Sequence, residues 1–305
     1  MKPAGGGRIG EVRDFDHLLQ TLSHHTCRRL DVSRRISRPT DRLSQSLPLV
    51  VHAAAADPLG VGSSRGDRGR LSKVASYLRG FSIAETVDYV APDFSSAALV
   101  TIDTQVDTLN GQPLEIPGTS AAVSKIAALA AAFRKAGRPI VHVVRLYRAD
   151  GSNVDPCRRS AVEAGATFLT PGSPGSQLAP GIISHPAGFA LDTNALLDGR
   201  PQEAGPGEVV MYKSRWGAFY KTPLEDLLRQ SGASTVVFCG CNFPNCPRTS
   251  IYQASERDFR IVLAKDAISG LYERGCQERE TIGVRVLSSA EVIESLPQRP
   301  AAART

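Results

Sequence analysis

Read for its apolar and polar positions, the chain becomes regular only from residue 97, where the run AALVTID is continuously apolar and ends in a carboxylate. That pattern predicts a strand buried on both faces of a parallel sheet, with Asp103 at its C-terminal tip. In the next segment, PGTSAAVSKIAALAAAFRKAG, Val123, Ile126, Ala130 and Phe133 recur at helical spacing. Thr119 or Ser120 is placed to cap the start of that helix and Gly137 to close its end. RPIVHVV then supplies a second strand, completing a β-α-β unit of the kind that crosses over right-handed.

A second series opens with the strand EVVMYK and the helix TPLEDLLRQSG. Thr222, Pro223 and Glu225 read as a capping box with proline at the first helical position, and Leu224, Leu227 and Leu228 as the buried face. The strand TVVFCG, a helix near 247–257, the strand FRIVLAKDA, a helix around 273–284 and a last helix capped by Ser288 with Glu291 follow. Strands alternating with helices at this rhythm predict an α/β domain with a largely parallel, doubly wound sheet.

Two stretches lack either period. Residues 145–207 separate the two series, and 165–207 alone hold eight Gly and six Pro. So long an irregular segment is expected to cover a site or a subunit contact, with a short helix over 155–164. Residues 1–75 contain GGG, RRLDVSRRISR and GVGSSRGDRGR, and read as a basic, disordered leader over 1–80 ahead of a domain over 81–305.

Charge sharpens that division. The 305 residues carry a net +6, but 14 basic against 7 acidic side chains leave +7 within residues 1–80, so the domain itself is near −1. A nucleic-acid arm is disfavoured because Phe15 is the only aromatic residue among the first 75 and there is nothing else to stack bases. No apolar run reaches the ~20 residues needed to span a bilayer. Six cysteines, three of them at Cys239, Cys241 and Cys246, are too few and too clustered for a secreted disulfide scaffold, so a cytoplasmic location is expected.

In an open parallel sheet, ligands bind beyond the carboxyl ends of the strands. Three reactive side chains fall at such ends: Asp103, Lys213 after EVVMY, and Cys246 beyond TVVFCG. With Pro247 next, Cys246 is expected to open a helix, where the dipole and a nearby Lys213 ammonium would lower its thiol pKa while Asp103 carries protons. Cys239, Cys157 and Cys276 read as small buried hydrophobes. A zinc site built from Cys239, Cys241 and Cys246 lacks a fourth ligand.

The segments ALVTIDTQVDTL, VVMYKSRWGAFYKTPLEDLLRQSGASTVVFCGCNFPNCPRTSIYQA and FRIVLAKDA resemble the isochorismatase-like cysteine hydrolase family over about residues 90–290. Its blocks run as a strand ending in D-x-Q-x-D, a K-x-x-x-x-A-F block, and G-V-x-x-x-x-C opening a helix. The resemblance implies a three-layer α/β/α sandwich with a six-stranded, mainly parallel sheet. It also implies a catalytic Asp103, Lys213 and Cys246, with an oxyanion hole from the backbone N–H groups of Asn242 and Cys246, Asn242 following a peptide that is characteristically cis. Arg145, Tyr147, Arg215, Trp216 and Phe219 are candidates for lining the pocket, Arg145 as a partner for a substrate carboxylate.

The implied activity is hydrolysis of a C–N bond in a small amide, carbamoyl or ureido compound through a thioester. Vinyl-ether hydrolysis of the isochorismatase type and a catalytically silent binding subunit stay open beside it. The loop GCNFPNCP and the residues Thr104, Val106 and Thr108 depart from the commoner family forms, and the metal-binding D-x-H of its nicotinamidases is missing after Asp103. No metal and no cofactor are therefore expected. The expected partners are a small-molecule substrate and further copies of the chain in a homo-oligomer, with no membrane or nucleic acid.

Overall fold

The computed structural model describes residues 87–183 and 189–298, and the expected leader over 1–80 lies outside them. The strands are β1 (Ala97–Ile102), β2 (Ile140–Val144), β3 (Gln202–Gly205), β4 (Glu208–Tyr212), β5 (Thr235–Gly240), β6 (Arg260–Ile268) and β7 (Arg285–Leu287). They form one sheet in the order β3-β4-β2-β1-β5-β6-β7. Every neighbouring pair is parallel except β3 with β4. The six parallel strands are those of the implied fold; β3 adds a short antiparallel edge, where the polar run Gln202-Glu203 has no alternating apolar signal.

Alternation along the central strands sends side chains into two separate cores. Ala98, Val100 and Ile102 of β1 and Val236 and Phe238 of β5 pack with Leu224 and Leu228 of α4 (Leu224–Gln230) and Ile251 and Ala254 of α5 (Cys246–Ser255). On the opposite face Leu99 and Val237 meet Ile126, Leu129 and Phe133 of α1 (Thr119–Ala136) and Val292 of α7 (Ser289–Ser295). Burial on both faces explains the unbroken apolar runs and makes the three-layer sandwich. Between the series lie α2 (Pro156–Glu163) and α3 (Thr193–Leu197), and α6 (Glu273–Glu280) precedes β7. No helix among the described residues is long and apolar enough to cross a membrane.

Helix ends differ from expectation in two places. The N-cap of α1 is Gly118, in the left-handed region at φ 85°, because Thr119 is buried and donates to Ser269 Oγ, while Ser120 Oγ accepts from Asn110 N. At α4 the capping box does not form. Thr222 Oγ1 donates to Ala218 O, and Glu225 instead accepts from Arg257 at 2.8 Å. Gly137 and the Ser288/Glu291 box close α1 and open α7 as expected.

One buried polar relay ties the sheet to α1. Thr101 of β1 bonds His142 of β2 at 2.8 Å, His142 bonds Glu208 of β4 at 2.7 Å, and Arg134 of α1 pairs with Glu208 at 2.6 Å. Burial pushes the Glu208 carboxyl up, but hydrogen bonds from Arg134 and His142 outweigh it and bring its pKa to about 2. A carboxylate depressed in this way stabilises the fold above its ordinary value of 4.5, and that stabilisation is lost as pH falls toward about 2. Glu208→Gln is therefore expected to cost roughly 3 kcal/mol at neutral pH. In thermal melts the gap from the parent should shrink between pH 4.5 and about 2; a constant gap across that range would contradict the assignment.

Candidate active site

Chain order runs from β1 to β2 and β4 on one side and then to β5, β6 and β7 on the other, so the switch in direction lies at the tips of β1 and β5. Asp103 follows β1 directly in the left-handed region at φ 48°, which turns the chain off the sheet edge; aspartate tolerates this conformation better than most residues. Its N–H is held by Val143 O at 2.9 Å. Lys213 leaves the tip of β4, its N–H held by Val144 O at 3.0 Å. Cys246 is the first residue of α5.

These three side chains meet. Lys213 Nζ lies 2.7 Å from Asp103 Oδ2 and 3.2 Å from Cys246 Sγ, and also donates to Arg215 O at 3.2 Å. Lys213 is fully buried, Asp103 and Cys246 nearly so. The second carboxylate oxygen, Asp103 Oδ1, is buried without a partner among the described residues. Contrary to expectation, the Cys246 thiol is pushed up to about 12. Desolvation by burial is the largest cause and the Asp103 carboxylate adds to it, together outweighing Lys213 and Arg145. Burial and the facing carboxylate both favour the protonated form of the thiol.

The loop between β5 and α5 is held on both sides. Gly240, at φ 117°, brings its backbone against Ile102, and a Cβ there would overlap the Ile102 carbonyl. Cys241 N donates to Ile102 O, Cys241 Sγ to Asp103 O at 3.1 Å, and Phe243 N to Ser269 O at 2.8 Å. Phe243 is fully buried and meets Tyr272 edge to face at 5.5 Å. All peptide bonds of the described residues are trans, including the one before Asn242 that the resemblance implied to be cis. Neither the Asn242 nor the Cys246 N–H is committed to a hydrogen bond among the described residues.

A narrow cleft, with a cavity volume of about 20 Å³, opens over these groups. Asp103, Cys241, Asn242 and Cys246 form its floor. Arg145, Tyr147, Arg158 and Leu169 come from the irregular 145–207 segment, with Trp216 beside them. Arg145, Tyr147 and Trp216 thus line the cleft. Phe219, expected beside them, is instead buried in the core against Phe259, because Ala218 and Phe219 dock on α5 through Ser250 and Gln253. Arg215 is tied to Asn153 O and Ser214 O, away from the cleft lining.

Three further contributors were not singled out as site residues from sequence, although Gln105 and Asp107 belong to the D-x-Q-x-D block. Gln105, the middle residue of the D-x-Q-x-D block, accepts from Arg145 N at 2.8 Å and donates to Arg145 O at 2.9 Å, fixing the backbone that carries Arg145. Asp155 Oδ2 accepts from Arg145 Nη2 and from Tyr147 at 3.0 Å, with Arg158 at 3.6 Å. Asp107 Oδ2 accepts from Leu169 N, and its carboxylate packs where any Cβ on Gly175 would lie.

Residues 97–295 match the family model described as the isochorismatase domain, and the chain belongs to the isochorismatase-like cysteine hydrolase family. It is 31% identical over 179 residues to a maleamate amidohydrolase of Pseudomonas putida, covering 56% of this chain and 71% of that one. It is 30% identical over 189 residues to the ureidoacrylate amidohydrolase RutB of Methylobacterium radiotolerans, covering 57% and 68%. Among solved structures, an isochorismatase family protein from Desulfovibrio vulgaris superposes with a TM-score of 0.55 at 29% identity, over 66% of this chain and 97% of that one.

Because Asp103 raises the Cys246 thiol while Lys213 lowers it, Asp103→Asn is expected to make that sulfur more acidic. Alkylation of Cys246 by iodoacetamide at pH 8, followed by peptide mapping, should then accelerate by roughly tenfold or more. A slower or unchanged rate would show that the carboxylate does not hold the proton on sulfur.

Proposed function

We propose that the chain is a cysteine-dependent amidohydrolase that cleaves the C–N bond of a small amide, carbamoyl or ureido compound through a thioester. The observation that carries this reading is the single buried ammonium of Lys213, within reach of both Asp103 Oδ2 and Cys246 Sγ. The names of the two amidohydrolase relatives support the substrate class.

In this mechanism Asp103 accepts the thiol proton as Sγ attacks the carbonyl carbon. Negative charge moves from a carboxylate oxygen to sulfur and then to the carbonyl oxygen, while Lys213 stays between the first two positions. Little reorganisation is needed, because the compensating charge is already in place in a site shielded from water. The uncommitted N–H groups of Asn242 and Cys246 meet the oxyanion; one such donor typically contributes about 3 kcal/mol to the transition state. Asp103 then returns the proton to the leaving amine as the C–N bond breaks. Water, deprotonated by the same carboxylate, hydrolyses the thioester and regenerates the thiol.

Cys246→Ala is expected to abolish turnover of any amide found in a screen, and intact-mass spectrometry of the parent protein during turnover should show an acyl adduct mapping to Cys246. Full activity in the alanine variant would end the covalent reading.

A further inference from the structure

We propose that Leu169 sets the size of the largest molecule that can reach Cys246, and that Asp107 is the positioning residue that holds Leu169 in that place. The size limit belongs to the cleft whatever bond is broken there; its consequence for substrates rests on the amidohydrolase reading above. Leu169 lines the same cleft as Cys246 and is 1% exposed. Its backbone lies in the left-handed region at φ 50°, which bulky side chains rarely adopt and glycine adopts freely. A leucine stays in that conformation only where its surroundings impose it, and residues held in this way cluster at functional places.

The surroundings that impose it are specific. Leu169 N donates to Asp107 Oδ2 at 2.5 Å, and the Leu169 carbonyl accepts from Tyr147 N at 3.0 Å. Asp107 is itself buried, and its carboxylate lies against Gly175, where any Cβ would overlap it. Two more apolar residues of the lining hang from the same short turn: Leu114 N donates to Asp107 O and Ile116 N to Thr108 O, both at 3.0 Å. Asp107 and Thr108 therefore fix three apolar walls relative to Asp103, from which the turn starts.

Other parts of the lining are less tightly held. The Arg158 side chain is 24% exposed and Trp216 is half-buried, with the guanidinium 4.9 Å from the ring. A cavity of about 20 Å³ holds a water and little more, so an entering molecule must displace side chains. Arg158 and Trp216 can give way into solvent, whereas Leu169 is tied at both its N–H and its carbonyl. What fits between Leu169 and Cys246 is then decided by the leucine side chain.

The test compares the rates at which iodoacetamide and its N-phenyl analogue alkylate Cys246 in the full-length protein, read by peptide mapping, with the exposed Cys157 as the reference for intrinsic reactivity. Both reagents form the same bond from sulfur to a CH2 carbon, expel iodide and release the thiol proton. A change in thiol acidity therefore alters both rates alike, and their ratio reads space alone. In the parent the N-phenyl reagent is expected to be slower by roughly 100-fold. Leu169→Ala should speed it by roughly tenfold or more and leave iodoacetamide within about threefold. If that variant fails to fold by circular dichroism, Leu169→Gly suits the positive φ and should act in the same way. Asp107→Ala should move the ratio in the same direction, while Asp107→Asn, which keeps an oxygen for Leu169 N, should retain the parent value. Equal rates for the two reagents in the parent, or a ratio unmoved in the Leu169 variants, overturns the size limit. A ratio that Asp107→Ala leaves unmoved, or that Asp107→Asn moves as far, overturns the positioning role. A shifted ratio in a protein that cleaves no amide in a screen ends the amidohydrolase reading and leaves the size limit standing. Amides cleaved with the same size preference by the parent and by Leu169→Ala do the reverse.

Discussion

A fully buried ammonium is the constraint around which the other parts of the site are arranged. Lys213 has no exposed surface, and an unpaired charge at such depth would be strongly destabilising. Its partners come from different strands: Asp103 from β1, Cys246 from beyond β5, and the Arg215 carbonyl from its own turn. In the sheet, β4 lies two positions from β1, roughly 10 Å away at ordinary strand spacing. Only a side chain as long as lysine, passing beyond the end of β2, closes that gap. The strand order and the choice of residue at position 213 are therefore one fact seen at two scales.

That arrangement also decides where the proton rests. Burial and the facing carboxylate outweigh the Lys213 ammonium and the Arg145 guanidinium in setting the thiol, which is why arguing from the neighbouring lysine alone points the wrong way. Desolvation grows with everything packed around the sulfur, including the buried Phe243 and the segment above the cleft, and none of that packing is visible in the residues next to Cys246. The positive φ at Asp103 is the backbone cost of setting its carboxylate beside the Lys213 ammonium at the tip of β1.

Readability from sequence followed the physics of burial. β1, β2, β5 and most of β6 were plain because strands covered on both faces need continuous apolar runs, and strand tips then locate Asp103, Lys213 and Cys246. The caps of α1 and α4 were misread because Thr119 and Thr222 have competing partners, Ser269 and Ala218, that are close in space and not in sequence. Phe219 is no pocket wall, because the Gly217-Ala218 step docks on α5 and its ring packs in the core against Phe259. Gln105 and Asp155 carry no periodic or compositional mark; their roles exist only once β1, β2 and the covering segment are brought together.

The cleft is assembled from two kinds of chain. Its floor belongs to strand tips that cannot move without disturbing the whole sheet, whereas Tyr147, Arg158 and Leu169 belong to an irregular segment joined to that floor at a few points, among them the bridge between Gln105 and Leu178 and the seat of Asp107 on Leu169 and Gly175. Substitutions of the cleft-lining Tyr147, Arg158 or Leu169 would leave the strand-tip floor in place, whereas Ala179 and Ile182 of the same segment pack in the sheet's core beside Leu99 and Val237 and tie the covering segment to the sheet.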